Sequence, residues 1–292
     1  MEPTPQESDS VSLPLASGTA VPLALSVLVP AYNEAARLGR TLAQTTDYLE
    51  SRGALYEILV VDDGSSDDTV GVVRRFASER PTSSVGHIQA LRYDDNRGKG
   101  HAVRYGILRA DGDRVLYMDA DLATPIEEIV NLEAALDGDT AGPAQVAIGS
   151  RPLRESTLLI RQPWYREMAG RAFNMAVQTM ATPGILDTQC GFKLMTRTAA
   201  REIFSRCTLN GFSFDVEMLF VARRLGYTIA EVPVRWAHQE GAAAFATRGA
   251  YLRHGLRMLA DLGRIRWIHR AVHPLSLNST AAAPTSTVLP PT

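Results

Sequence analysis

A chain of 292 residues is long enough to bury a full hydrophobic core in one or two domains. Hydrophobic residues make up 45% and charged residues 21%, which excludes a wholly disordered chain; the net charge of −2 excludes a basic nucleic-acid binder. Two cysteines, Cys190 and Cys207, without a Cys-x-x-Cys pair exclude a disulfide scaffold and a zinc cluster.

Residues 1–22 are rich in Pro, Ser, Thr and Ala and read as a loose tail. Glu2, Glu7 and Asp9 give an acidic start, and Pro14, Gly18 and Pro22 interrupt the apolar stretch, which argues against a signal peptide. No apolar run reaches the roughly 18 residues of a spanning helix, so the expectation is an unsecreted protein without one. Ala24–Val29 reads as a strand, followed by a helix with Leu38, Leu42 and Leu49 near one face. Tyr56–Val61 is a second strand, leading to a helix with Val70, Val73 and Phe76. His87–Leu91 is a third strand, Gly100–Ala110 a helix and Arg114–Met118 a fourth strand. Thr124-Pro125-Ile126-Glu127 places a hydroxyl cap before a first-turn proline, with a glutamate three residues after the cap. Val146–Gly149 reads as a fifth strand. This alternation predicts an α/β fold, a mostly parallel central sheet with helices on both faces, binding ligands beyond the carboxyl ends of its strands. Residues 164–180, with Trp164, Met168, Phe173, Met175 and Met180, read as a helix. So do residues 247–270, with Leu252, Leu256, Leu259 and Leu262 on or near one stripe. Six arginines against Asp261 give residues 248–270 a local net of +5, which fits a basic amphipathic helix whose leucines face the core and whose arginines face lipid headgroups. Residues 275–292 are a second loose tail.

Polar groups collect at the predicted strand ends. The first strand runs into Pro30-Ala31-Tyr32-Asn33-Glu34, the second into Asp62-Asp63-Gly64-Ser65-Ser66-Asp67, the fourth into Asp119-Ala120-Asp121, and the fifth into Gly149-Ser150-Arg151. Asp67 and Thr124 read as helix caps. Asp119 and Asp121 share a face if the strand continues, and such an Asp-x-Asp pair suits Mg²⁺ or Mn²⁺. In Asn96-Arg97-Gly98-Lys99-Gly100, glycines, a helix N-terminus and a lysine favour an anionic diphosphate. No Gly-x-Gly-x-x-Gly follows the first strand and no Walker-type loop is present, so the dehydrogenase and P-loop readings fall away.

The blocks VLVPAYNE, LVVDDGSSDDT and YMDADLAT, followed by IGSR, LDTQCGFKLMTR, FSFDVEML and IAEVPVRWAHQEG, resemble the family 2 glycosyltransferases with the GT-A fold. The later blocks resemble in particular the dolichyl- and polyprenyl-phosphate β-glucosyltransferases, over residues 24–268. The resemblance implies a GT-A domain at 23–246 and a basic amphipathic helical extension at 247–274, between the tails 1–22 and 275–292. It implies an inverting, metal-dependent enzyme that moves glucose from UDP-glucose to a polyprenyl phosphate, working peripherally at the cytoplasmic face of a membrane. Pro30, Tyr32, Glu34 and Asp63 would line the nucleoside pocket, with Lys99 near the donor. Asp119, Ala120 and Asp121 would hold the ribose side, and Asp119 and Asp121 would ligate the Mg²⁺ or Mn²⁺. Asp187, Thr188 and Gln189 would form a loop over the donor sugar. Arg151 and Arg166 match phosphate-binding arginines, with Arg161 and Arg171 as further candidates. Asp121, Arg151, Arg166 and Asp215 form the expected catalytic set. In relatives acting on hydroxyl acceptors a carboxylate near Asp215 serves as general base; with a phosphate acceptor it would orient the sugar or the arginines. Relatives carry a lysine after the final Glu-Gly, whereas this chain has Gln239-Glu240-Gly241-Ala242-Ala243-Ala244, with Arg248 as a substitute. The competing readings are GDP-mannose as donor, a soluble hydroxyl acceptor with Asp215 as base, and a non-catalytic nucleotide-sugar-binding protein.

Overall fold

Leu25–Ala31 (β1) and Tyr56–Asp63 (β2) are buried along their whole length, as inner strands of a sheet covered on both faces must be. They belong to a computed structural model that describes residues 23–81, 85–138, 143–153, 155–160, 177–237 and 248–272. Ala35–Arg52 (α1) joins β1 to β2, Thr69–Ser78 (α2) leads to Gly86–Tyr93 (β3), and Lys99–Ile107 (α3) leads to Arg114–Met118 (β4). A 3₁₀ turn, Ile126–Glu128, opens Ile129–Asp137 (α4), and Val146–Ser150 (β5) follows. Beyond the expected elements lie Thr157–Ile160 (β6), Phe192–Thr196 (β7), Arg197–Phe204 (α5), Phe214–Leu225 (α6), Ile229–Pro233 (β8) and Arg235–Ala237 (β9), and Arg248–Ile268 (α7) ends the series.

The main sheet has the order β3-β2-β1-β4-β7-β5-β8. All of its pairings are parallel except those of β7, which runs antiparallel between β4 and β5. Alternation along β1 divides the core. Val27 and Val29 join Leu38, Leu42, Val73 and Leu132 on one face, while Leu28 joins Val103, Ile203, Phe204 and Met218 on the other. The expectation of helices on both faces of a mostly parallel sheet is met. The separate strands β6 and β9 pair in parallel beside it.

Two local expectations change and a third is extended. Thr124 caps no helix: the 3₁₀ turn is entered from Pro125, and the buried Thr124 Oγ1 lies 4.0 Å from Cys190 Sγ. The side chain is drawn into the core, so the hydroxyl never reaches the turn's amides. Asp67 caps two helices, since its carboxylate accepts from Thr69 N at 3.0 Å and from Ala35 N at 3.1 Å. The fourth strand stops at Met118, and Leu122 adopts φ 52°, so Asp119 and Asp121 sit on a turn rather than on strand geometry.

The last helix buries only part of the expected stripe among its described residues. Leu262, Ile265 and His269 are buried, whereas Leu259 is 41% and Trp267 67% exposed. Polar anchors fix this rotation: Ser213 Oγ donates to Asp261 at 2.6 Å, Arg266 donates to Met180 O at 2.6 Å, and His269 Nε2 lies 2.8 Å from Glu217 Oε1. The leucine stripe is therefore not the core face at Leu259; the side chains of Leu252 and Leu256 lie outside the described residues. Of the expected helix 164–180, residues 177–180 are described, with Val177 buried. No helix among the described residues is long and apolar enough to cross a membrane. Leu262→Ala is expected to cost about 2–4 kcal/mol of stability. Leu259→Ala is expected to change it by less than about 0.5 kcal/mol. Urea unfolding of the two variants checks the rotation of α7.

Candidate active site

The ends of β1, β2, β4 and β5 supply one rim. At the end of β2, Asp63 Oδ1 accepts from Tyr93 OH at 2.8 Å and Arg97 N at 2.7 Å, and Oδ2 accepts from Gly98 N at 2.9 Å. This expected donor residue thus shapes the loop that carries Lys99. Gly98 has φ 97°, and a Cβ there would come within 2.5 Å of Asn210 O; a Cβ on Gly100 would come within 2.5 Å of Leu209 O. Gly100 N donates to Asn210 O at 2.7 Å. The glycines of this helix start therefore admit the chain's own 209–211 backbone, and Asn210 O takes up the amide of Gly100, the second residue of α3. Lys99 still faces the rim and pairs with Asp119 at 2.8 Å.

Three acids converge there. Asp119 also accepts from Tyr117 OH at 3.0 Å, and its backbone N–H donates to Gly191 O at 3.0 Å. A Cβ at Gly191 would lie 2.0 Å from Asp119 Oδ2, so only glycine leaves room for this carboxylate. Asp121 accepts from Ala123 N at 3.0 Å, and Glu34 pairs with Arg37 at 2.5 Å. Burial pushes the Asp121 carboxyl above the usual aspartate range, and the charge of Asp119 adds to it. Glu34 is raised by burial too, with Asp121 and Asp119 contributing against the pull of Arg37. Burial works against the Lys99 charge, yet Asp119 and Asp215 hold its ammonium above the usual range. Tyr32 is 50% exposed at the rim, Pro30 is buried in β1, and Ala120 is buried with its carbonyl accepting from Thr41 Oγ1 at 2.5 Å.

Asp215 does not stand open to the cleft. It is buried at the start of α6, and Oδ1 accepts from the fully buried Lys193 at 2.6 Å. Lys193 Nζ also donates to Cys190 O at 2.5 Å. Burial raises the Asp215 carboxyl, opposed by Lys193 and Lys99. A carboxylate bound to a buried ammonium is poorly placed to take a substrate proton. Cys190 is a buried packing residue, as its sequence context implies, and burial pushes its thiol up to about 12.

On the far side of the rim, Arg151 follows β5. Its Nε and Nη2 donate to Asp187 Oδ2 at 2.6 Å and Oδ1 at 2.9 Å, and its backbone N–H donates to Oδ2 at 3.1 Å. Burial opposes ionisation of Asp187, but Arg151 wins and holds the carboxyl below the usual range. Gln189 is exposed beside this pair and donates its N–H to Asp187 at 3.2 Å. Asp187 thus grips Arg151, a contact its motif did not announce. Sequence reasoning also passed over Lys193, Asn210 and Glu231, whose partners are distant in the chain. Arg161, Arg166, Arg171 and the segment 239–244 lie outside the described residues.

Residues 26–204 match the family model described as Glycosyl transferase family 2. The chain is 40% identical over 224 residues to a dolichyl-phosphate beta-glucosyltransferase of Mus musculus, covering 74% of this chain and 68% of the mouse protein. A dolichyl-phosphate beta-glucosyltransferase of Dictyostelium discoideum is 36% identical over 249 residues, covering 83% of this chain and 74% of its own. Among solved structures, glucosyl-3-phosphoglycerate synthase from Mycobacterium tuberculosis, crystallised with Mn²⁺, UDP-glucose and phosphoglyceric acid, shares the fold with a TM-score of 0.58 at 19% identity, over 82% of this chain and 79% of that one. Together, the family match across most of the sheet and the two eukaryotic relatives establish the chain as a member of glycosyltransferase family 2, and therefore as a glycosyltransferase.

Proposed function

We propose that this glycosyltransferase moves glucose from UDP-glucose to a polyprenyl phosphate of the dolichyl type, inverting the anomeric centre. The observation that carries the reading is the forked, part-buried Arg151 standing across the rim from the acids, while Asp215 is engaged by Lys193. The names of the mouse and slime-mould relatives support the same acceptor and sugar. A phosphate oxygen is already deprotonated near neutral pH, so it needs cationic positioning and no strong base. Arginine has five N–H donors; Asp187 takes two of them, which leaves others for a phosphate oxygen. Arg166 is proposed as a second phosphate-binding arginine on its motif match alone.

The acids fit a hard divalent cation. Two aspartates at one turn offer oxygen ligands, and the upward push that Asp119 exerts on Asp121 is a repulsion a cation would relieve. Among the described residues no cluster of three or more His, Cys, Asp or Glu forms a metal site, so substrate oxygens and water would complete the shell. When bound, Mg²⁺ or Mn²⁺ neutralises charge on the departing nucleoside diphosphate. Asp119 and Asp121 would hold it, with Tyr117 and Lys99 fixing the Asp119 carboxylate. Tyr32, Glu34, Asp63, Ala120 and Gln189 are proposed to face the donor.

Helix α7 gives the chain a surface for the lipid side. Leu259 and Trp267 are exposed along with Arg257, Arg264, Arg266 and Arg270. Apolar side chains flanked by arginines fit an anionic, cytoplasmic leaflet, on which the protein would rest peripherally.

Purified protein given UDP-glucose, a polyprenyl phosphate and Mg²⁺ or Mn²⁺ is expected to put labelled glucose into an organic-extractable product. Asp121→Asn should lower that turnover at least about 100-fold with folding intact. Label from GDP-mannose instead, or no lipid label at all, overturns the reading. Asp215→Asn is expected to lose about 3–5 kcal/mol of stability by stranding Lys193. Its folded fraction should nevertheless keep measurable transfer, whereas an abolished rate would restore Asp215 as a base. Phosphatidylglycerol vesicles should sediment the wild-type protein and release the double variant Trp267→Ala/Arg264→Glu; equal sedimentation of both would exclude this face.

A further inference from the structure

We propose that Glu231 is a positioning residue for the acceptor-side arginine, acting through Asp187. The proposal rests on the reading of Arg151 as the cation that receives the acceptor phosphate. Glu231 lies on β8, opposite Ile148 in the parallel β5–β8 pair, two residues short of Ser150. From there its carboxylate reaches three donors on two separate segments. Oε1 accepts from Ser150 Oγ at 2.8 Å and from Asp187 N at 2.9 Å, and Oε2 accepts from Leu186 N at 2.7 Å. Ser150 is the residue before Arg151, and Asp187 is its ion-pair partner, so Glu231 binds both ends of the fork from beneath.

The geometry explains why a charge is used at this position. The 186–187 backbone makes a loop whose two successive amides point at one side chain, and a carboxylate with two oxygens satisfies both while accepting the serine hydroxyl. With those amides fixed, Asp187 presents both of its oxygens to Arg151. The guanidinium is enclosed further by Trp236 on β9, whose ring centroid lies 5.3 Å from it. Glu231 thus sets where the fork stands without itself facing the cleft's acids. A glutamine at 231 would offer one oxygen and one amide to three donors, leaving an N–H facing another N–H. Asp187 would then lose its register, and Arg151 would sample other rotamers. Outer-shell changes of this kind typically cost about 10-fold or more in the function of the group they orient.

The test compares wild-type protein with Glu231→Gln and Glu231→Asp in two measurements. In the first, the side-chain Nε–H resonance of ¹⁵N-labelled Arg151, assigned by its loss in Arg151→Lys, is followed without substrates. A wild-type signal shifted by the short Asp187 bond should move or broaden in Glu231→Gln, while other arginine signals stay in place. In the second, KM for the polyprenyl phosphate should rise about 10-fold, with KM for UDP-glucose changed less than about twofold and partial recovery in Glu231→Asp. An unmoved Arg151 resonance overturns the proposal. So does a fall in kcat and melting temperature with both KM values unchanged, which is the mark of a purely structural glutamate. If wild-type protein forms no lipid-linked product, the acceptor reading fails, while the resonance still decides whether Glu231 positions Arg151.

Discussion

Burial raises the carboxyls of Glu34, Asp121 and Asp215 near the carboxyl ends of a parallel sheet, the charge of Asp119 adds to each, and holding these acids out of water is the constraint around which the site is built. Two lysines meet it from opposite directions. Lys99 arrives from the start of α3 and pairs with Asp119, and Lys193 arrives from β7 and pairs with Asp215. Tyr117 is buried between them, with its ring centroid 5.7 Å from Lys99 Nζ and 5.5 Å from Lys193 Nζ. Burial, with Asp119 and Asp215 near, holds its hydroxyl well above the ordinary tyrosine range, so it stays a neutral donor to Asp119. The arrangement compensates the inner acid, Asp215, with a buried ammonium and leaves Asp119 and Asp121, the pair proposed to hold a divalent cation, nearer the rim.

This compensation explains the antiparallel strand in an otherwise parallel sheet. Strand β7 enters between β4 and β5 from the rim, so its first residues lie beside the end of β4. That placement brings Gly191 against Asp119 and aims Lys193 at Asp215. The 208–211 segment plays the matching part for the other lysine. Glu217 accepts from Thr208 N and Leu209 N at 2.8–3.0 Å, and Asn210 O then caps the first turn of α3, where Lys99 stands. His269, just past α7, closes on the same glutamate. A single carboxylate, Glu217, therefore joins the helix proposed to meet lipid to the loop that supports the start of α3 and Lys99.

What the sequence revealed and what it hid follow one physical division. The ends of β1, β2, β4 and β5 were legible because an apolar run followed by Asp, Asn, Gly or Ser is a local pattern. The Asp67 cap, the Arg151 placement and the inertness of Cys190 belong to this group. Lys193 was not legible, since a lysine in CGFKLM gives no sign that its partner lies 22 residues later on a helix. The packing of Gly98 and Gly100 on residues 209–211 was not legible either, because glycine records only that backbone approaches closely, not whose backbone it is. Helix α7 misled for a related reason. Its leucine periodicity places Leu262 in the core but not Leu259, because spacing alone does not fix the rotation, which the bonds to Ser213, Glu217 and Met180 decide.

A carboxylate attached to Arg151, the arginine proposed to bind phosphate, at first weakens its attraction for an anion. Arg151 feels the charge of Asp119 across the rim as well as that of Asp187. An unrestrained guanidinium on a long flexible stem would be drawn toward the rim acids proposed to hold a cation. The Asp187 fork removes that option: it fixes the plane of the guanidinium and turns its remaining donors away from the bonded edge. Part of the electrostatic attraction is given up for direction, and direction is what in-line attack by a phosphate oxygen requires. Separation of the two charged centres, rather than the strength of either, is then what would let one rim hold the proposed leaving diphosphate and attacking phosphate together.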